Sequence, residues 1–393
     1  MSELIYLDNS ATTRPCREAL EKYCEVASGN FANPSSLHTL GYNAEGELKR
    51  AREIILSSMS AKDSELIFCA SGSEANNLAI FGRALSKERY KRGSRIITTM
   101  GEHASVSEPF ARLAEMGFEV VCIPTRNGEL DMGALTEALT KNVILVSIML
   151  VNNETGAVYD IKSVSELMKA YAPEAVLHVD ATQGYLKIPF TKTGLGADMI
   201  TVSSHKIEGP KGVGALLIDK KIIKNKGISP LIYGGGQEGG LRSGTENVPA
   251  IAAFGAAVER GVKGFAAETA KMRALRDYLI EKLDTDPTFS EIYVTRPRMC
   301  APHILNVTLP NIKSETMLHF LSSRGIFVSS GSACSSNSRS TSSALVAYGH
   351  SEKMADSSIR ISFSHTNETS DVDRLCEAMA EGLATLARTE KKR

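Results

Sequence analysis

Two segments of the sequence end in residues that could form a cofactor site. Asp180 lies in the run HVDATQ at residues 178–183, and Lys206 lies in the run SSHK at residues 203–206, each at the end of a predicted strand. Ligands of open α/β sheets bind beyond the carboxyl ends of the strands, so both segments point to one crevice. A lysine there could hold pyridoxal phosphate as a Schiff base, while the carboxylate keeps the pyridine nitrogen protonated. The alternative is a structural Asp–Lys ion pair at a sheet edge.

A glycine–serine turn, ASGSE at residues 70–74, follows a predicted strand and opens a predicted helix. Backbone N–H groups at a helix N-terminus favour anions, and Gly72 lets a phosphate approach the backbone closely, with the Ser73 hydroxyl as a further donor. An ordinary N-cap with Glu74 in the first turn explains the same residues. The turn is not a P-loop, because no G-K-[ST] follows it.

Cys334 lies in a segment of small polar residues, SSGSACSS at residues 329–336. Such surroundings predict an exposed thiol, which becomes a nucleophile when its pKa is lowered. Most lone cysteines are instead buried fillers. That alternative fits Cys69, Cys122 and Cys376, which lie in apolar periodic runs, better than it fits Cys334.

Composition narrows the class of protein. The 393 residues carry 45 Lys and Arg against 45 Asp and Glu, and this neutral balance argues against nucleic-acid or membrane binding by the whole surface. No apolar run is long enough to span a membrane, and the N-terminus lacks the pattern of a signal peptide. The seven cysteines form no C-x-x-C pair, which predicts reduced thiols and no metal site. We therefore expect a cytoplasmic protein, and its size favours an enzyme.

The elements that must position these residues alternate along the chain. Strands that alternate with helices predict a mostly parallel sheet with helices on both faces, and the closely spaced last three strands allow one antiparallel member. Residues 14–258 are predicted to form this large domain, and residues 1–13 with 259–393 a smaller α+β domain. The predicted strands of the large sheet are 65–68, 95–99, 119–123, 143–151, 175–180, 199–203 and 213–218, and the main predicted helices are 74–91, 105–116, 161–171 and 248–283.

Eight motifs, taken together and in order, resemble those of cysteine desulfurases of the NifS/IscS type, in the class V aminotransferase group. The resemblance covers about residues 4–380 and implies the type I pyridoxal-phosphate-dependent transferase fold, with a seven-stranded, mostly parallel sheet. The motifs are LDNSATT at 7–13, GEH at 101–103, VNNETG at 151–156, HVDATQ at 178–183, SHK at 204–206, GPKG at 209–212, RSGT at 242–245 and SSGSAC at 329–334.

The resemblance implies a role for each matched residue around pyridoxal phosphate. Lys206 corresponds to the Schiff-base lysine and Asp180 to the partner of the pyridine nitrogen. His103 corresponds to the histidine that stacks on the ring and takes part in proton transfer, and Gln183 to the residue near the ring hydroxyl. The residues that correspond to the phosphate cradle are Gly72, Ser73, Ser203 and His205.

The remaining matched residues concern the substrate and the second subunit. Asn153 and Arg360 correspond to the clamp on the substrate carboxylate, a task that suits the guanidinium fork, and Asn9 joins them as a predicted substrate-binding residue. Thr245 corresponds to a residue that reaches the phosphate from the partner subunit, which implies a homodimer. Cys334 corresponds to the catalytic cysteine.

The resemblance thus implies a desulfurase that converts L-cysteine to L-alanine and holds the sulfur as a persulfide on Cys334. The sulfur acceptor would serve iron–sulfur cluster assembly or tRNA thiolation. The alternatives are a selenocysteine lyase or aminotransferase on the same fold, or a non-catalytic sulfur-relay or scaffold protein. One departure from the family pattern is Glu208, where an uncharged residue is usual; it predicts a negative charge near the cofactor.

Overall fold

The computed structural model describes residues 4–88, 93–330 and 342–390. None of the helices in these ranges is long and apolar enough to cross a lipid bilayer. In chain order the helices and strands are β1 (Ile5–Tyr6), α1 (Arg17–Gly29), α2 (Thr39–Ser58), β2 (Ser64–Cys69), α3 (Gly72–Ala84), β3 (Arg95–Thr99), α4 (Ala104–Glu115), β4 (Glu119–Ile123), β5 (Thr125–Arg126), β6 (Glu129–Leu130), α5 (Met132–Ala138), β7 (Val143–Met149), α6 (Ile161–Tyr171), β8 (Val176–Asp180), α7 (Lys192–Leu195), β9 (Met199–Ser203), β10 (Gly214–Asp219), α8 (Lys220–Lys224), α9 (Val248–Thr285), β11 (Tyr293–Thr295), β12 (Ile304–Thr308), α10 (Ser314–Ser322), β13 (Ile326–Phe327), β14 (Ser329–Ser330), α11 (Ser343–Tyr348), α12 (Glu352–Asp356), β15 (Ser358–Ser362) and α13 (Thr369–Glu390).

Seven strands form the large sheet, in the order β2-β10-β9-β8-β7-β3-β4. β10 is antiparallel to both of its neighbours, and the other strands all run in one direction. Every residue of β7, β8 and β9 is buried, as expected for central strands that are covered on both faces. The predicted mostly parallel seven-stranded sheet, with one antiparallel strand among the last three, is confirmed.

Apolar side chains alternate between the two faces of this sheet and pack against helices on each. On one face Phe68 belongs to a cluster with Ile55 of α2 and Phe254 of α9. On the other face its neighbour Ile67 belongs to a cluster with Leu78 of α3. The period of two along the strand therefore sends successive residues to opposite layers of helices.

A second, antiparallel sheet has the order β11-β12-β15-β14 and its own apolar cluster. β1 pairs with β13, and Asp8 bridges to Ser362, so the N-terminal segment lies beside the second sheet. Helix α9 is continuous across residue 258 and contributes its C-terminal half, including Met272 and Leu279, to this second cluster. The division of the chain into residues 14–258 on one side and 1–13 with 259–393 on the other stays a prediction.

Candidate active site

A cavity of about 240 Å³ lies at the edge where the parallel strands of the large sheet end. The segments that follow β2, β3, β7, β8 and β9 all contribute to its wall, and the start of the chain and β15 close it from the other side. The lining residues are Ser10, Ala11, Ser71, Gly72, Ser73, Asn76, His103, Ser105, Met149, Val151, Asn153, Asp180, Thr182, Gln183, Ser203, His205, Lys206 and Arg360.

Lys206 ends a short 3₁₀ turn, Ser204–Lys206, that directly follows β9. Its Nζ donates hydrogen bonds to the carbonyl oxygens of Ser10 at 2.6 Å and Ala11 at 2.9 Å. The amine is thus held at the cavity wall by backbone of the N-terminal segment. The same segment receives the Gln183 amide, whose Nε2 donates to the Ser10 carbonyl at 2.9 Å.

Asp180 is the last residue of β8 and is buried. Its Oδ1 accepts a hydrogen bond from the backbone N–H of Thr182 at 2.9 Å, and its Oδ2 accepts one from Asn76 Nδ2 at 2.8 Å. A carboxylate that accepts two such bonds is fixed in orientation. This is the geometry required of a group that must hold a proton on a nearby ring nitrogen.

His103 is the N-cap residue of α4. Its Nδ1 accepts a hydrogen bond from the backbone N–H of Ser105 at 3.1 Å and lies 2.8 Å from Ser105 Oγ. The cap therefore fixes the orientation of the imidazole at the cavity wall. Asn76 Nδ2 donates to the same Ser105 hydroxyl at 2.8 Å, which connects His103 to the surroundings of Asp180.

The N-terminus of α3 forms one end of the cavity. A Cβ on Gly72 would lie 3.2 Å from Ser203 Cβ and 3.3 Å from Thr182 Oγ1, so the glycine keeps this end open. Ser203 Oγ is buried and has no hydrogen-bond partner within the described protein. Together with the N–H groups of the first helical turn, which have no partner inside a helix, this hydroxyl fits an anion such as a phosphate.

His205 also lies beside this end of the cavity. Burial and the positive charges of Lys206 and Lys211 lower the pKa of its imidazole to about 4, so the ring is neutral at physiological pH. Its Nδ1 lies 3.2 Å from Thr12 Oγ1. A neutral histidine can donate a hydrogen bond to a phosphate, but it adds no charge to the cradle.

Arg360 lies in the middle of β15. Among the described residues of the second sheet, it is the only one that lines the cavity. Its guanidinium donates to Asp8 Oδ1 at 2.8 Å and to the Asn153 carbonyl at 3.0 Å, and its buried Nε has no hydrogen-bond partner among the described residues. A buried guanidinium with spare donor capacity suits the carboxylate of an amino acid. Asn9 does not line the cavity, because its amide donates to the carbonyls of Tyr6 and Ser362.

Two glutamates are next in sequence to residues that line the cavity, and of these Glu102 is buried and Glu154 is half-buried. Burial raises the pKa of Glu102 to about 8, although Thr99 Oγ1 at 2.7 Å and the Met149 N–H at 3.1 Å both donate to it. Burial also raises the pKa of Glu154 to about 7, against the hydrogen bond from the Ser342 hydroxyl. Both side chains therefore carry a proton near neutral pH more readily than an exposed glutamate does.

Three further residues with a predicted role do not line this cavity or lie outside the described residues. Thr245 is exposed and does not line the cavity of its own chain. Cys334 lies outside the described residues. Glu208, expected to place a negative charge near the cofactor, does not line the cavity; its oxygens lie 3.0 Å from His365 Nδ1 and 3.3 Å from Arg260 NH1. The carboxylate pairs with Arg260, and a negative charge near the cofactor stays a prediction.

Four further residues line the cavity without a role predicted from the sequence: Ser10, Asn76, Ser105 and Thr182. Thr182 and Ser10 lie inside motifs that were recognised, so their position in the motif was an available signal. Asn76 lies one helical turn beyond Gly72, on the same face of α3. Ser105 follows His103 by two residues, and nothing in its spacing marks it.

Comparison with known proteins identifies the family. The profile of the aminotransferase class-V family matches residues 5–375. The chain belongs to this family. It is 37% identical over 392 residues to the protein named cysteine desulfurase IscS of Dictyoglomus turgidum, and the match covers 98% of this chain and 97% of that protein. The predicted membership among cysteine desulfurases of the NifS/IscS type is confirmed.

Solved structures agree with the family in fold. A protein described as NifS-like superposes with a TM-score of 0.89 at 34% identity, over 97% of this chain and all of the other. A structure described as SspA in complex with cysteine superposes with a TM-score of 0.78 at 34% identity, over 91% of this chain and 98% of the other. The predicted type I transferase fold is confirmed.

Proposed function

We propose that the protein is a pyridoxal-phosphate-dependent cysteine desulfurase that converts L-cysteine to L-alanine and passes the sulfur, as a persulfide on Cys334, to an acceptor protein. The observation that carries the proposal is that Lys206, Asp180 and Arg360 line one cavity together with the N-terminus of α3, a position that favours anions. An amine, a carboxylate and a guanidinium in this arrangement fit an amino acid bound beside a phosphorylated pyridine.

Each residue has a task that follows from its surroundings. Gly72, Ser73, Ser203 and His205 would hold the phosphate, and Gln183 would lie near the ring hydroxyl. Asp180 would hold a proton on the ring nitrogen, and its own two hydrogen bonds fix the orientation of its carboxylate. Pyridoxal phosphate, when bound, supplies an electron-accepting ring that makes the Cα proton of an amino acid acidic.

The substrate is oriented by the opposite wall. Arg360 and Asn153 would bind the carboxylate of cysteine, and the Lys206 amine would act as the base that removes the Cα proton. Asp8 keeps the Arg360 guanidinium in place.

Cys334 would take the sulfur. Its thiolate attacks the sulfur of the substrate, a sulfur–sulfur bond forms, and the Cβ–S bond breaks with its electron pair left on the carbon skeleton. Protonation of that carbon yields alanine, and the enzyme retains a persulfide. Sulfur and electrons therefore balance without an external oxidant or reductant.

The active form is proposed to be a homodimer, with Thr245 of each subunit reaching the phosphate site of the other. Thr245 is exposed on its own chain, as this arrangement requires. Large apolar side chains are also exposed on two segments, with Phe31 at 70%, Tyr42 at 71% and Tyr233 at 78% of their surface. Large apolar side chains with this much exposed surface are typical of an interface that a partner covers. The cytoplasmic location stays a prediction, as does the iron–sulfur or tRNA-thiolation acceptor.

The decisive experiment measures alanine and protein-bound sulfur from [³⁵S]cysteine for the wild type, Cys334→Ser and the control Cys24→Ser. Cys24 is an exposed cysteine, so its replacement tests for a general thiol effect. We expect the wild type and the control to form alanine and carry label, and Cys334→Ser to do neither. A wild type that forms a keto acid in place of alanine would show an aminotransferase, and a fully active Cys334→Ser would refute the persulfide step.

The lysine assignment has a separate test. Borohydride reduction of the enzyme with pyridoxal phosphate, followed by peptide mapping, is expected to place the pyridoxyl group on Lys206. Lys211 is the internal control, since it lies five residues further along the same segment and does not line the cavity. Label on Lys211, or no fixed label at all, would contradict the assignment.

A further inference from the structure

Asn76 joins the two groups that are proposed to face the cofactor ring. It is buried on α3, and its single amide nitrogen donates to Asp180 Oδ2 and to Ser105 Oγ, both at 2.8 Å. Ser105 Oγ in turn lies 2.8 Å from His103 Nδ1. One continuous chain of side-chain hydrogen bonds therefore runs from Asp180 through Asn76 and Ser105 to His103.

The direction of every bond in this chain follows from the charge at one end. An ionised Asp180 can only accept, so the Asn76 amide must present its nitrogen and not its oxygen to Oδ2. The second N–H of that nitrogen points at Ser105 Oγ, which must then accept. The remaining hydroxyl proton of Ser105 is left to donate to His103 Nδ1.

A backbone hydrogen bond favours the same tautomer of His103. The N–H of Ser105 also donates to Nδ1, at 3.1 Å. A nitrogen that accepts two hydrogen bonds carries no proton, so the proton of the neutral imidazole resides on Nε2.

We propose that Asn76 is a positioning residue that couples the Asp180 carboxylate to the tautomer of His103, with the Ser105 hydroxyl as the connecting group. The catalytic meaning of this coupling rests on the proposed function. The coupling makes His103 a hydrogen-bond donor through Nε2, and it leaves removal of the substrate Cα proton to Lys206. The buried oxygen Asn76 Oδ1 has no partner among the described residues, as expected if the amide is oriented by its two donor contacts.

The test is a double-mutant cycle read by nuclear magnetic resonance. The holoenzyme labelled with [¹⁵N]histidine is compared for the wild type, Asn76→Ala, Ser105→Ala and the double variant, and His103→Gln assigns the signal. In the wild type we expect a pyridine-type Nδ1 and a pyrrole-type Nε2. Asn76→Ala should shift the Nδ1 signal toward the Nδ1–H form in the wild-type background but not in the Ser105→Ala background, since the amide acts on His103 only through that hydroxyl.

Asn77→Ala is the matched control. Asn77 is the next residue of α3, and its amide donates to the Ser73 carbonyl at 2.9 Å, outside the chain of bonds. The control should leave the His103 signals unchanged. An Asn76→Ala spectrum equal to that of the control, or an equal shift in both backgrounds, would overturn the proposal. Ser105→Ala alone tests the last bond should Asn76→Ala fail to fold.

Kinetics provide a second measurement that is independent of the tautomer. Removing one charge-assisted hydrogen bond from Asp180 is expected to lower kcat for alanine formation by about ten- to hundredfold, with KM for cysteine changed less than about threefold. A raised KM with unchanged kcat would contradict a positioning role. If no variant forms alanine, the wild type included, the proposed function fails while the spectra still decide the hydrogen-bond chain.

Discussion

Replacing Glu102 by glutamine is expected to flatten the decline of stability with rising pH. Glu102 lies next to His103 in the sequence, and its buried carboxyl accepts from Thr99 and from the backbone of Met149 behind the cavity wall. Desolvation raises the pKa of this group from its ordinary 4.5 to about 8. Glutamine occupies nearly the same volume and hydrogen-bonds without titrating.

The sign of this pH dependence follows from the difference in bound protons between the folded and unfolded states. Between pH 4.5 and about 8 the folded protein keeps a proton on Glu102 that the unfolded chain has lost, so the folded state is favoured most below this interval. Rising pH then removes about 1.4 kcal/mol of the free energy of unfolding per pH unit, to a total of at most about 5 kcal/mol. Glu102→Gln lacks this contribution entirely.

Urea unfolding followed by far-ultraviolet circular dichroism measures the effect, because the chain contains no tryptophan for fluorescence. Wild type, Glu102→Gln and the control Glu108→Gln are compared at pH 5.5, 6.5 and 7.5 with a fixed excess of pyridoxal phosphate. Glu108 lies on the exposed side of α4. The free energy of the wild type should fall relative to Glu102→Gln by about 1.4 kcal/mol per pH unit, and parallel curves would refute the reasoning.

Three other substitutions probe the site and its surroundings. Gly72→Ala should weaken binding of pyridoxal phosphate by about tenfold or more in a titration, since the new Cβ meets Ser203 at 3.2 Å; unchanged affinity would place the phosphate elsewhere. Arg360→Lys should raise KM for cysteine by about tenfold or more, because the fork is lost, and an unchanged KM would contradict the carboxylate clamp. Glu208→Gln should lower the free energy of unfolding by about 1–3 kcal/mol in urea unfolding while kcat stays the same, since the carboxylate pairs with Arg260 and not with the cavity; a changed kcat would contradict that reading.

The local pattern of apolar residues was sufficient to predict the strands of the large sheet. Buried strands are short apolar runs with breaks at both ends, and the predicted run 199–203 coincides with β9, while 143–151 exceeds β7 by two residues. The rule that ligands lie beyond the carboxyl ends of parallel strands then placed Asp180 and Lys206 at one cavity. Both predictions depend on the hydrophobic periodicity of the strands and on the direction in which they run, and both can be inferred from the sequence.

The ends of helices, and the helices that pack against the large sheet, were harder to predict from the sequence. The predicted helix 74–91 ends in the structure at Ala84, where the buried Arg83 turns to the carbonyls of Ile144 and Gly227. Helices α1 and α2 were not assigned, although α2 buries Leu48, Ala51 and Ile55 along one stripe. That stripe has meaning only with α9 beside it, and α9 lies about 200 residues further along the chain.

The sequence by itself determined the family, the sheet and the chemical types present at the strand ends, because these follow from motif order and hydrophobic period. Only the tertiary structure decided which side-chain and backbone groups hold those residues. The amide of Asn76 meets Asp180 across 104 positions, and the Lys206 amine meets Ser10 across 196. The direction of Glu208 was equally hidden, since its partners Arg260 and His365 come from distant segments. Hydrogen bonds and ion pairs are short and directional, so their partners are fixed only when folding brings distant backbone within a few ångströms.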